Sequence, residues 1–103
     1  MISESVKRVL NEQQVASQQF TIFWGESDSF IYCGGDFFHM PQDQDSHFDV
    51  NTYDGRWEVI EAMENGTIPY FNPNKEAGMT DEEFYVWLKK HGYRMSHYNA
   101  NAF

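Results

Sequence analysis

The chain has 103 residues, with 16 acids against 7 lysines and arginines and a net charge of -9. That length fits a single domain, and 41% hydrophobic with 17% aromatic residues supplies enough apolar area to exclude a disordered acidic tail. Direct nucleic-acid binding is disfavoured, because it rests on clustered Lys and Arg.

The N-terminus MISESVKRVLNEQQ is polar where a signal peptide needs an apolar core, and no run approaches the roughly 18 apolar residues of a bilayer span. A cytoplasmic location without membrane contact is the expectation. Ile2, Val6, Val9 and Leu10 recur at helical spacing among good helix formers, which predicts an amphipathic helix over 2–17. FTIFW (20–24) and FIYC (30–33) are β-branched and aromatic, and the intervening GESDS predicts a hairpin. Cys33 has no second cysteine to pair with, and its apolar surroundings predict a buried, inert thiol. Gly34 and Gly35 then break or bulge the second strand ahead of DFFHM.

From Ser46 to Tyr53 the residues alternate, Phe48 and Val50 against His47, Asp49 and Asn51, which predicts a further strand with one wet face. Asp54 and Gly55 turn the chain into a second helix, RWEVIEAMEN, with Trp57, Ile60 and Met63 on one side and Gly66 as its stop. TIPYF (67–71) runs extended into the loop NPNKEAG, since Pro69 and Pro73 disfavour helix. The last helix opens with a capping box, Thr80 and Glu83, buries Phe84, Trp87 and Leu88, and stops at Gly92. For the tail YRMSHYNANAF, a short strand and a loosely docked end both stay open. The sum is an α+β domain over 1–103: a mostly antiparallel sheet of 3–4 strands, covered on one face by about three helices.

DQDSHFDVNTYD (43–54) is the nearest approach to a motif, with Asp43, Asp45, Asp49 and Asp54 at calcium-loop positions one, three, seven and twelve. Phe48 stands where such a loop needs glycine, His47 stands where Asp or Asn would coordinate, and FFHMPQ is a poor entering helix. A solvated loop is therefore expected instead of an EF-hand. Asp36, His39, His47 and Asp49 are the candidates for a transition-metal site, but neither His-Glu-x-x-His nor Cys-x-x-Cys is present. No nucleophile elbow, cysteine-protease signature or P-loop appears, so no catalytic residue and no cofactor is expected.

The charge is unevenly placed. Between Glu26 and Glu64 stand ten acids and a single base, Arg56, whereas residues 1–25 are balanced. Glu58, Glu61 and Glu64 form an acidic ridge on the second helix, a cost to stability that invites explanation. A basic protein is the natural partner, and carboxylates there could imitate phosphate spacing in the groove of a DNA- or RNA-binding protein. Small acidic inhibitors and DNA mimics, including phage-encoded ones, share this composition. The expected function is a non-enzymatic binding module acting through Asp43, Asp45, Asp49, Asp54, Glu58, Glu61 and Glu64. Two alternatives stand beside it: a small metal-dependent enzyme or ligand-binding protein built on residues 36–49, and a structural or self-associating subunit, such as a homodimer, that uses surplus aromatics. Those are Tyr70, Phe71, Tyr85, Tyr93, Tyr98, Phe103 and one of the adjacent pair Phe37 and Phe38.

Overall fold

A computed structural model describes residues 19–41 and 48–100. The helix expected over 2–17 lies outside them. The chain forms β1 (Gln19–Trp24), β2 (Asp28–Cys33), β3 (Asp36–Pro41), α1 (Tyr53–Glu64), β4 (Tyr70–Phe71), α2 (Pro73–Ala77), α3 (Asp81–Lys90) and β5 (Arg94–Asn99). The architecture is α+β, with a five-stranded sheet in the order β4-β3-β2-β1-β5 and every neighbouring pair antiparallel.

The glycine pair opens a third strand and does not merely interrupt the second. Gly34 and Gly35 have φ of 60° and 87°, the signs a two-residue hairpin turn of the right-handed twist demands, and they pair β2 with β3 from Cys33↔Asp36 to Asp28↔Pro41. DFFHM is thus a strand buried on both sides, which has no alternation to display. The expected strand over 46–53 is not formed in its described part. Residues 48–52 instead make a turn, with Asn51 N donating to Asp49 Oδ1 at 3.1 Å and Thr52 N to the Asp49 carbonyl at 3.0 Å.

That turn delivers Thr52, whose hydroxyl accepts from Gly55 N at 2.9 Å and caps α1. The cap is therefore Thr52, upstream of Asp54 and Gly55. Gly55 is buried in the first turn because its α-carbon lies against the backbone of Asp49: a Cβ there would stand 1.8 Å from the Asp49 carbonyl oxygen.

Helices cover both faces of the sheet, contrary to the expected single cover. On one face Ile22, Ile31, Phe38 and Met40 pack under Val59, Ile60 and Met63 of α1, with Trp57 half-buried at the margin. On the other, Phe23, Phe30 and Phe37 pack under Phe84 and Leu88 of α3. Phe37 and Phe38 point to opposite faces and are 2% and 0% exposed, so neither is the free aromatic that adjacency predicted. Both of the sheet's side-chain sets are apolar, and each therefore needs its own helix.

After β4 the chain forms α2 where a loop is expected. Proline ends a helix from within but suits its first turn, and here Pro73 follows the cap Asn72, whose Oδ1 accepts from Asn74 N at 3.0 Å. The capping box of α3 is complete: Glu83 N donates to Thr80 Oγ1 at 3.1 Å and Thr80 N to Glu83 Oε1 at 2.8 Å. The tail resolves into β5, paired with β1 from Gln19↔Asn99 to Trp24↔Arg94. No helix among the described residues is long and apolar enough to cross a membrane.

Candidate functional site

Of the seven acids singled out, Asp43 and Asp45 lie outside the described residues, as does His47. Asp49, Asp54, Glu58, Glu61 and Glu64 are all exposed. Asp54, Glu58 and Glu61 follow one another at i, i+4 and i+7, and Glu64 stands one turn beyond Glu61, so the row covers about 15 Å along the outside of α1. Asp49 belongs to the turn before the helix, where its side chain accepts from Asn51 N. The geometry thus joins four of the acids into one row and puts the fifth at its head.

The polarity of that row runs against its helix. Carboxylates stabilise the N-terminal turn and oppose the negative end of the macrodipole. Only Asp54 stands in the first turn of α1, Glu61 and Glu64 stand in the last, and that last turn holds no basic residue. Arg56, the helix's one cation, is half-buried and donates from Nη1 to the Val50 carbonyl at 3.0 Å.

The described metal candidates, Asp36, His39 and Asp49, do not come together. Asp36 and His39 are three apart on β3, which points them to opposite faces of the sheet. Asp49 is engaged with Asn51 N, and β3 occupies the place of an EF-hand's entering helix. Among the described residues no group of three or more His, Cys, Asp or Glu side chains is arranged to hold a metal ion.

His39 belongs to a cluster that spacing could not reveal. Its Nε2 lies 2.7 Å from Asp28 Oδ2, while Tyr93 donates its hydroxyl proton to Asp28 Oδ1 at 2.6 Å. One carboxylate therefore ties the start of β2 to the end of β3 and to the residue before β5. Burial, reinforced by the bond to Asp28 and by its charge, pushes the Tyr93 phenol up to about 12. The His39 ring lies 4.7 Å from that of Phe30, tilted by 30°. Asp28 is separated from its partners by 11 and 65 positions, and neither separation is a motif. This knot ties three strands to one another.

Cys33 is buried, and burial first, then the charge of Asp36, pushes its thiol up to about 11, which keeps it protonated and unreactive near neutrality. His91 caps α3, with Nδ1 2.8 Å from the Trp87 carbonyl; a carbonyl only accepts, so Nδ1 carries the proton. Among the described residues the exposed aromatics are Tyr32, Tyr53, Tyr70 and Tyr85, between 36% and 40% exposed, each on a different element. No family model, curated protein or solved structure matches this chain.

Proposed function

We propose that the protein is a non-enzymatic acidic binding module whose α1 face occupies the basic surface of a nucleic-acid-binding protein. The observation that supports this reading is the placement of Glu61 and Glu64 in the last turn of α1, where each opposes the helix dipole and neither is balanced by a basic residue of that turn. Charges that only kept the protein soluble would serve equally well at the other end of the helix, where they would stabilise it. Their position is explained by something outside the helix that is positively charged. With Asp54 and Glu58 they make a row along one helix, and long-range attraction would speed encounter in a salt-dependent way.

The test is retention of partners from a nuclease-treated lysate of the source cell, eluted in salt steps, beside a Glu58→Gln, Glu61→Gln, Glu64→Gln variant. The expected result is a basic nucleic-acid-binding protein that leaves at moderate salt, is absent with the variant, and is displaced by duplex DNA. Retention that is indifferent to salt, to the variant and to DNA would overturn the reading.

A further inference from the structure

On the face of the sheet opposite α1, the helix α3 leaves part of the strands uncovered. A groove of about 600 Å³ runs there between the helix and the strands β1, β2 and β5. Its floor is Phe23, Tyr32 and Met95, and its wall on the helix side is Tyr85 and Val86. Val86, at 60% exposed, is the most exposed of the protein's described large apolar side chains, and it faces this opening, not a neighbour in the core. A volume of this size lies within the range of about 300–1,000 Å³ occupied by drug-sized ligands, which bind mainly through apolar walls and a few oriented polar groups.

Two acids and no lysine or arginine line the groove. Asp81 and Glu82, in the first turn of α3, stand at its rim, while Thr21 and His97 close the far side through a 2.8 Å contact between Oγ1 and Nδ1. Glu83 is occupied by the Thr80 backbone N–H, whereas Asp81 and Glu82 make no hydrogen bond or ion pair to another described residue. The two rim carboxylates outweigh the half-charge of the helix N-terminus, so the rim attracts cations. The Tyr32 hydroxyl is raised above the ordinary phenol range by burial, then by the charges of Asp81 and Asp36, which agrees with a negative potential over the groove floor. Rings add to it: Tyr32 and Phe37 lie 4.8 Å apart and Tyr85 meets Phe23 edge-on at 5.9 Å, so π-faces line the space beside the carboxylates. The Tyr85 ring already holds one cation, the Lys89 ammonium 5.8 Å from its centroid, and Lys89 is not part of the groove's lining.

We infer that this groove is a binding site for an organic cation, its apolar body lying on Phe23, Tyr32 and Met95 and its ammonium at Asp81 and Glu82. An anion is repelled at the rim, and a neutral apolar molecule gains the floor but not the carboxylates. The site is on the opposite face of the sheet from α1, so it can be filled whether or not the acidic row is engaged.

The test uses the full chain and three probes with one body, 4-phenylbutylammonium, 4-phenylbutanol and 4-phenylbutyrate, titrated at neutral pH and low salt while methyl NMR signals are followed. The ammonium should bind about tenfold tighter than the alcohol and the carboxylate weakest, with shifts concentrated at Val86 and Met95. The double variant Asp81→Asn, Glu82→Gln should weaken the ammonium about tenfold and leave the alcohol unchanged, and Val86→Arg, at an exposed position, should exclude the ammonium from a folded protein. Equal affinity for the three probes, indifference to the double variant, shifts elsewhere in the molecule, or no binding by any probe would each overturn the assignment.

Discussion

α1 and α3 lie against opposite faces of one sheet, and their charges are arranged in opposite senses. α3 places Asp81, Glu82 and Glu83 in its first turn and Lys89 and Lys90 in its last, each sign where the dipole favours it. α1 ends on Glu61 and Glu64 and has no basic residue in its last turn. The undersides differ as well. Phe84 of α3 meets Phe30, Phe37 and Phe71 at centroid distances of 5.0, 4.9 and 5.0 Å, whereas α1 packs through Val59, Ile60 and Met63. One helix is consistent with its own stability throughout; the other departs from it only on the side that faces solvent. The departure is confined to the exposed acids of the last turn of α1.

The largest effect should come from breaking the aromatic underside of α3. Phe84→Ala should cost about 4 kcal/mol, read from the urea midpoint, because it leaves a void among four rings. A cost below about 1 kcal/mol would mean that α3 is not held by that cluster. A smaller effect is expected at the knot that closes the same face. Tyr93→Phe removes the bond to Asp28 and should cost about 1.5 kcal/mol at neutral pH. The phenol is raised from 10.0 to about 12 in the folded protein, so its contribution is complete below pH 10 and is lost as pH rises toward about 12. Stability of the parent should therefore fall across that window more steeply than that of the variant. An identical alkaline slope for both would show that Tyr93 does not carry the titration.

The smallest effect is the most pointed, because it addresses the charge contrast itself. Glu61→Lys with Glu64→Lys should stabilise the protein by about 0.5 kcal/mol per residue at low salt, and Lys89→Glu with Lys90→Glu should destabilise it by a similar amount. Both differences should shrink in 1 M salt. If the first pair destabilises instead, the acids of α1 contribute to folding and the contrast between the helices fails.

How much of this could be read from the sequence depended on range. The capping box, the helix α1 and the hairpin over 20–33 are signalled by residues within a few positions of one another, and all formed. β3 was hidden because a strand packed on both faces has no alternation, while HFDVNTY alternates without pairing in its described part. Pro73 was misleading for a related reason: whether proline ends or begins a helix is decided by the cap before it, here Asn72. The Asp28, His39 and Tyr93 knot and the groove beside α3 gather residues from distant elements, and a single sequence carries no mark of such convergence.

The position of β1 bears on how the protein comes into being. Although it precedes the other described strands, it lies inside the sheet, bounded by β2 on one side and β5 on the other, with Gln19 opposite Asn99. On a ribosome adding about 5–20 residues each second, several seconds separate the emergence of those two partners. During that interval β1 presents a bare row of backbone donors and acceptors flanked by Phe20, Ile22 and Phe23, the kind of edge on which chains join one another. The nascent protein thus depends on β5 to close a seam opened by β1, and any stall before β5 would leave that seam available to other chains.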